Sequence, residues 1–218
     1  MGSTDIRPRT KTPQKRDRAA TSEALLNAAI AEFAEHGFAG GRVDRIADSA
    51  GVNKQLVYHY FGNKDELYQA ALEKIYTDIR SKEGELHLAD LPPRAAMETL
   101  VGFSFDYLAE HPEFIALIGD ENRLDARHLK QFTGIVELHS PLIQLIEQTM
   151  KRGAEEGIFD DRFGSVDLYL SIAGLCFFFF ANQNTLSVIF NQKMTSGAQV
   201  ARRRQHVVDF VISAISVK

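Results

Sequence analysis

The 218-residue chain lacks what several classes of protein require. Its single cysteine, Cys176, lies in an apolar run, which excludes a disulfide framework and a CxxC redox or zinc site. The longest apolar run, residues 172–181, is well short of the roughly 18 residues that cross a bilayer. The chain begins with polar and basic residues, without the apolar stretch of a secretory signal, so we expect a cytoplasmic protein.

Motifs of catalysis are also missing. The sequence contains no HExxH, no GxSxG and no glycine-rich phosphate loop. A loose group of Asp120, Glu121 and His128 is more typical of a helix end than of a metal site. We therefore expect no enzyme activity, no metal and no cofactor, and an enzyme stays as the main alternative from another functional class.

Apolar residues recur at helical spacing, and no segment alternates over the length of a strand, so the predicted fold class is all-α. A first helix is expected to end at Gly37, and a later one to be kinked at Pro141. The other predicted helices cover about residues 43–50, 54–61, 64–81, 93–110, 112–123, 125–156, 166–182 and 199–216.

Basic residues are concentrated near the N-terminus. Residues 1–64 carry ten Lys and Arg against seven Asp and Glu, whereas the remainder carries 15 against 22. Residues 1–20 show no apolar periodicity and are predicted to be a flexible basic arm. Such an arm ahead of a small helical unit is typical of a phosphate-binding protein, although a solvated tail explains the same charge.

Two short helices joined by a tight turn form the motif that points to a function. The first ends at Gly51, Asn53 can cap the second, and the second ends at Phe61. This spacing is typical of a helix-turn-helix, whose second helix lies in the major groove of DNA. The outer face of that helix carries Lys54, Gln55, Leu56, Tyr58 and His59.

Each of these side chains has a task that it could perform on DNA. Lys54 and Gln55 can donate at the helix N-terminus, and Tyr58 and His59 can donate to phosphate oxygens. Leu56 either contacts a thymine methyl group or packs back on the first helix. Helical hairpins of this spacing also occur in proteins that bind no DNA, so the spacing alone leaves the function open.

Residues 21–68 resemble a known family without a gap. The residues that carry the resemblance are Phe33, Gly37, Ile46-Ala47, Ala50-Gly51-Val52, Val57-Tyr58-His59-Tyr60-Phe61, Asn63-Lys64 and Leu67. They are similar to the N-terminal domain of the TetR family of bacterial transcriptional regulators. The stretches from His111 to Arg123 and from Ser171 to Gly174 resemble a branch of that family containing repressors of pyrimidine and nicotinate catabolism.

The resemblance implies a homodimeric repressor that binds a palindromic operator on double-stranded DNA and is released by a small-molecule effector. The corresponding domains are the arm (1–20), the helix-turn-helix domain (21–68) and an effector-binding and dimerisation domain (69–218). By the same resemblance, the DNA-contacting positions are Lys54, Gln55, Tyr58, His59 and Lys64.

Two features depart from the family pattern. Many members open the first helix of the motif with Thr or Ser, whereas this chain has Gly41 and Arg42. Arg42 can replace a hydroxyl contact to phosphate with a charge-assisted one. The long arm is an extension, and we expect its residues from Arg7 to Arg18 to reach into the minor groove or along the backbone.

A second subunit is expected on the helix that contains Leu168 to Phe180, because this helix is apolar on two faces. One face can contact the chain's own core while the other pairs, together with the last helix, with a partner copy. A central helix in a monomer is the alternative. The predicted interface residues are Leu168, Ile172, Leu175, Phe179, Val207, Phe210, Val211 and Ala214.

An effector pocket is expected between the long helices of the acidic C-terminal domain. Candidate walls are Phe103, Tyr107, Phe177 and Phe178, and candidate polar anchors are Asn122, Arg123, His128 and His139. The same aromatic residues could form an ordinary core, and the polar ones could be solvated. A buried Arg123 or histidine would favour a small aromatic or heterocyclic acid, because a buried cation needs an anionic partner. An effector-independent DNA-binding or partner-binding protein is the nearest alternative function.

Overall fold

The computed structural model describes residues 13–218, with side chains from Arg18 onward. Over that range the chain is all-α, as predicted, and its only β feature is an isolated bridge between Phe159 and Ser216. The helices are α1 (Pro13–Gly40), α2 (Val43–Ser49), α3 (Lys54–Phe61), α4 (Lys64–Gly84), α5 (Pro93–Glu110), α6 (Pro112–Arg123), α7 (Ile135–Glu155), α8 (Ser165–Ala181), α9 (Gln183–Ile189) and α10 (Gly197–Ile215).

The first helix begins earlier than the sequence predicts. α1 starts at Pro13, so residues 13–20 are helical where a flexible arm was expected. Proline suits this position because the first turn of a helix needs no backbone donor there. The rest of the predicted arm, residues 1–12, lies outside the described residues. The predicted break at Gly37 is present, since Gly37 has φ 67° and ψ 174°.

The helix predicted over residues 125–156 is wrong in its first ten residues. Asp125 and Ala126 have positive φ angles of 55° and 54°, so the chain turns after α6. The carboxylate of Glu121 then accepts hydrogen bonds from the main-chain N–H groups of His128 and Leu129, at 2.6 and 2.9 Å. α7 therefore begins only at Ile135, and Pro141 lies inside it.

The seven-residue helix α9 is missing from the sequence prediction, because it is too short to show a periodic pattern. α8 and α9 meet at a bend of 69°. Within residues 13–218 no single helix has the length and apolar content to cross a membrane. α8 and α9 have that length and apolar content only when they are taken together, as a bent pair.

α4 connects the two halves of the molecule. The helix-turn-helix half contains α1 to α3, and the larger half contains α5 to α10. Near the N-terminus of α4, Tyr68 is fully buried and packs edge-to-face on Phe33 of α1, with ring centroids 4.9 Å apart. Near its C-terminus, Ile79 is buried in the larger half. Because a helix rises about 1.5 Å per residue, these 21 residues span roughly 30 Å.

The larger half is built around α5, which packs against α8 and α10. Phe105 of α5 contacts Phe180 of α8, with ring centroids 4.8 Å apart. On the α10 side, Arg204 donates from Nε to both carboxylate oxygens of Asp106, at 2.7 and 2.9 Å. The end of α10 is fixed by the main-chain N–H of Asp160, which donates to the carbonyl of Ile215 at 2.8 Å.

Candidate nucleic-acid interface

The two short helices have the geometry that the sequence predicts. α2 ends at Ser49, one residue before the expected end, and Gly51 then takes a positive φ of 69° in the turn. The side chain of Asn53 caps α3 by accepting a hydrogen bond from the N–H of Leu56 at 2.9 Å. Val57 is 1% exposed, so α3 rests on the core by its inner face and presents the opposite face outward.

Glu32 of α1 holds α2 in position, a role that the sequence analysis missed. Its carboxylate accepts hydrogen bonds from the main-chain N–H of Arg42 and from Nε of Arg45, both at 2.8 Å. The hydrogen bond from Arg45 is the main reason why the pKa of Glu32 is lowered. This contact satisfies the free N–H before α2 and fixes the angle between α1 and the helix-turn-helix.

The outer face of α3 carries exposed polar side chains. The side chains of Gln55, Tyr58 and His59 are exposed, and none of the three makes a hydrogen bond to the part of the chain that the structure describes. Lys54 is exposed too, but its Nζ lies 2.9 Å from Oδ1 of Asp44, and this hydrogen bond raises the pKa of Lys54. Leu56 is half-buried at the edge of the same helix.

The other predicted DNA contacts have different surroundings. Lys64 is half-buried, with Nζ 4.8 Å from the ring centroid of Phe38, and burial lowers its pKa. Arg42 is exposed, and its side chain does not cap α2. Arg18, the last residue of the predicted basic segment, lies over the ring of Tyr60 at 5.7 Å. Lys54 and Arg42 therefore remain the more accessible cations of the predicted set.

Asp120 of α6 joins the helix-turn-helix half to the larger half. Its Oδ2 accepts hydrogen bonds from the main-chain N–H of Phe38 at 2.6 Å and from the hydroxyl of Tyr68 at 3.3 Å. Its Oδ1 accepts from Nη2 of Arg123 at 2.7 Å. Burial is the main reason why the pKa of Tyr68 is raised, so the hydroxyl stays a donor.

His128 completes this junction and is 1% exposed. Its Nδ1 lies 2.9 Å from Oε2 of Glu121, and its Nε2 lies 3.3 Å from Oδ1 of Asp65 at the start of α4. The ring also packs on Phe38 and Tyr68, with centroids 4.7 Å away in both cases. The group of Asp120, Glu121 and His128 therefore connects helices.

Comparisons with known proteins identify the family. Residues 25–71 match the model of bacterial regulatory proteins of the tetR family. Residues 93–211, more than half of the chain, match the model of the tetracyclin repressor-like C-terminal domain. The chain belongs to the TetR family. Its members are transcriptional regulators, so the family resemblance predicted from residues 21–68 is confirmed and extends through the C-terminal half.

Individual TetR-family proteins support this assignment. The transcriptional repressor NicS of Pseudomonas putida is 34% identical over 80% of this chain and 81% of its own length. The repressor SCO4008 of Streptomyces coelicolor is 43% identical over 47% of this chain and 50% of its own. The structure of the regulator SCO4942 from Streptomyces coelicolor aligns with a TM-score of 0.67 and 26% identity, covering 89% of this chain and 98% of that one.

The eight predicted effector contacts of this TetR-family chain do not converge on one cavity. Phe103 and Tyr107 line a groove between α5 and α10, whereas the half-buried His139 lines a cavity on α7. Phe177 is half-buried, and Phe178 is 58% exposed on the surface of α8. These aromatic residues therefore do not line one of the described cavities together, since α8 points Phe178 outward, and their part in effector binding stays a prediction.

The four predicted polar anchors of the effector have different surroundings in the structure. The side chain of Arg123 is 73% exposed and is paired with Asp120, and Asn122 is exposed with its Nδ2 donating to the carbonyl of Ile118. His128 is buried but is held by Glu121. His139 is half-buried, and burial lowers its pKa. None of the four combines a free polar group with a buried position.

The structure also corrects which faces of α8 and α10 are free to contact a second subunit. Five of the eight predicted interface residues are buried in the chain's own core: Leu168, Ile172, Phe179, Val207 and Val211. Leu175 is half-buried, and Phe210 and Ala214 are exposed. Periodicity finds the apolar stripes of a helix but does not say which stripe faces the core. The outer stripe of α8 carries Val166, Leu170 and Phe178, exposed by 55%, 59% and 58%.

Proposed function

We propose that this TetR-family regulator is a dimeric repressor that binds a palindromic operator and is released by a small-molecule effector. The observation that carries the DNA-binding part is the outer face of α3. There the side chains of Gln55, Tyr58 and His59 present polar groups that form no hydrogen bond to the described residues, from a helix whose inner residue Val57 is buried. A rigidly mounted helix with free polar groups outward suits the major groove, which admits one α-helix.

The residues on this surface would perform two tasks, the recognition of bases and the binding of phosphates. Gln55 can make the paired hydrogen bonds that recognise adenine. Tyr58, His59, Lys54 and Arg42 can donate to phosphate oxygens, which fix the register of the helix on the duplex. The predicted arm, which includes Arg7 and lies mainly outside the described residues, would add phosphate or minor-groove contacts.

The dimer would form through the outer faces of α8 and α10. The two helices lie side by side, and Nη2 of Arg203 on α10 donates to the carbonyl of Leu175 on α8 at 3.2 Å. Both helices carry exposed apolar residues, with Leu170 of α8 exposed by 59% and Phe210 of α10 by 54%. A twofold interface of this kind would place two α3 helices on two half-sites of the operator.

Release would follow from a shift between two conformations. An effector that binds the larger half must favour the arrangement in which the two α3 helices no longer fit the half-sites, with a coupling of about 1–3 kcal/mol. α4 and the Asp120 contacts provide a physical connection between the halves. We infer a cytoplasmic regulator without catalytic activity, since repression acts on chromosomal DNA.

Fluorescence anisotropy on DNA from the gene's own upstream region, with excess non-specific competitor, tests the proposal. We expect saturable binding with two protomers per site and a steep dependence on salt. Gln55→Ala should weaken operator binding by about 5- to 150-fold, whereas Gln148→Ala on α7 should not change it. Absence of binding at low salt by the folded, ligand-free protein would contradict the DNA-binding function.

A metabolite panel separates the sensor from the effector-independent alternative. An effector should raise the melting temperature of the protein and lower its affinity for the operator in the same concentration range. A metabolite that raises the melting temperature without releasing DNA would contradict the inducer role assigned to it.

A further inference from the structure

A cavity of about 390 Å³ lies between α4 and α7. Its α7 side includes three apolar side chains, Leu138, Leu142 and Leu145, together with Pro141. Its volume is near the lower end of the range for small-molecule sites, which is about 300–1,000 Å³. The space therefore suits a small molecule with an apolar body.

Arg80 of α4 projects into this cavity as a buried cation. Its side chain is 9% exposed, and neither Nε nor Nη1 has a hydrogen-bond partner within the described part of the chain. A buried guanidinium with incomplete hydrogen bonds is costly, because the protein does not replace all the hydrogen bonds that water would make. The cavity thus contains a positive group that an anion could satisfy.

Glu83, one turn further along α4, satisfies Arg80 only in part. Its side chain is 7% exposed, and its Oε2 lies 2.8 Å from Nη1 of Arg80. The two atoms are close but poorly aligned, so Oε2 also lacks a hydrogen bond. Burial raises the pKa of Glu83 to about 7, so a substantial fraction of Glu83 is protonated at neutral pH. Arg80 is then left without a full counter-charge.

We propose that this cavity is the effector site and that Arg80 binds the carboxylate of a small monocarboxylic acid whose apolar body lies against Leu138, Leu142 and Leu145. The inference rests on the proposed function, because it identifies the ligand class of the same effector. Arg is suited to this task, since its planar guanidinium can bind both oxygens of a carboxylate.

The other cavities offer a weaker anchor. The groove between α5 and α10 is larger, at about 700 Å³, but its cation Arg204 is already paired with Asp106. A cavity of about 460 Å³ next to Phe178 contains Arg203, whose Nη2 donates to the carbonyl of Leu175, although its Nε has no hydrogen-bond partner within the described residues. That cavity also lies on the face that we assign to the second subunit.

The position of Arg80 on α4 connects the site to DNA binding. Arg80 lies near the C-terminal end of the helix whose first turn, at Lys64, directly follows α3 and Gly62. A carboxylate bound to Arg80 and packed on α7 would change the distance between α4 and α7. Any such shift is transmitted along α4, because a helix moves as a unit.

Isothermal titration calorimetry with defined acids tests the proposal. The probes are benzoate, the three pyridine monocarboxylates, hexanoate and octanoate, each at millimolar concentration, and the controls are the matching neutral amides. We expect at least one acid to bind and its amide to bind at least tenfold more weakly. Whether aromatic or alkyl acids bind more tightly identifies the apolar body.

Three variants locate the binding site. Arg80→Gln should weaken binding of the acid by at least tenfold, Glu83→Gln should leave it unchanged or make it tighter, and Arg94→Gln, on the exposed start of α5, should have no effect. Since Arg80→Gln could fold poorly, Arg80→Lys is included. Lysine keeps the charge but loses the paired hydrogen bonds, so we expect an intermediate loss.

The possible outcomes distinguish a failure of the carboxylate site from a failure of the proposed repressor function. If the protein binds operator DNA but none of the acids, or if folded Arg80→Gln binds the acid as tightly as the wild type, the carboxylate site is overturned and the repressor stands. If an acid binds through Arg80 but no operator is found, the site is supported and the DNA-binding function fails.

Discussion

The main-chain N–H of Phe38 donates to Oδ2 of Asp120 at 2.6 Å, although the two residues are 82 positions apart. Phe38 directly follows the break in α1 at Gly37, and Asp120 lies near the end of α6. One carboxylate thus satisfies the backbone of the DNA-binding half where its first helix is interrupted.

Replacing Asp120 should destabilise the whole protein. Asp120→Ala leaves the N–H of Phe38 without its acceptor and the hydroxyl of Tyr68 with only the carbonyl of Leu117, at 3.4 Å. We expect the free energy of unfolding to fall by about 2–4 kcal/mol. Arg123→Ala removes only the exposed partner of Asp120 and should cost less than about 1 kcal/mol. Urea unfolding at one fixed protein concentration measures both, and equal losses would contradict the role given to Asp120.

Removing the charge of Asp44 should strengthen DNA binding. Asp44 holds Nζ of Lys54 at 2.9 Å, so Asp44→Asn both frees a cation and removes a carboxylate from the surface that faces phosphate. We expect operator affinity to rise by about 3- to 10-fold at low salt. The matched control is Asp161→Asn, since Asp161 is exposed and far along the chain, and anisotropy should show no change for it.

Lys54 should contribute to the salt dependence of operator binding. Lys54→Gln removes one phosphate contact per subunit, so the slope of log K against log salt should become shallower by roughly 2 for the dimer. Lys151→Gln, on the exposed surface of α7, should leave the slope unchanged. A slope that stays the same for both variants would mean that Lys54 does not contact phosphate.

Charge placed on the outer stripe of α8 or α10 should separate the subunits. Leu170→Glu or Phe210→Glu would bury a carboxylate in the proposed interface, so sedimentation velocity should show the 24.4 kDa monomer in place of the dimer. Val136→Glu is the control, because Val136 is 70% exposed but lies on α7. A dimer that survives both substitutions would place the interface elsewhere.

Glu83 should make stability depend on pH. Its pKa is raised from 4.5 to about 7 in the folded protein, so between these values the folded state holds a proton that the unfolded state has lost. Stability from this group is therefore highest below about pH 4.5 and falls as the pH rises toward 7. Relative to Glu83→Gln, the wild type should lose about 2 kcal/mol between pH 5 and 8, as measured by urea unfolding at each pH.

Local signals in the sequence were sufficient for most of the helices and for the outward-facing side of α3. Asn53 as a cap, Gly51 in the turn and Val57 as the inward residue follow from rules that act within a few residues. The helix predicted from residue 125 failed because Glu121 captures the main-chain N–H groups of His128 and Leu129, a contact that helical periodicity does not encode.

Faces and pockets depend on packing over long distances, and there the sequence was less informative. α8 is apolar on several sides, so its pattern could not separate Ile172, which is buried, from Leu170, which is exposed. The sequence analysis expected a buried cation for the effector at Arg123 or at a histidine, whereas the side chain of Arg123 is 73% exposed. The sequence does contain a signal for a buried charged group at Glu83, which continues the buried stripe of Ile75 and Ile79 at a spacing of four residues.

The position of α4 limits how this protein can be recombined with its relatives. A chimera joined at residue 68, where the sequence divides into domains, would cut inside α4 and would separate Tyr68 from Asp120 and Asp65 from Arg127, which pair at 3.3 and 2.6 Å. We therefore expect the DNA-binding domain and the larger domain to function together only as a matched pair. Exchanging one of them requires a graft that carries both sides of this junction.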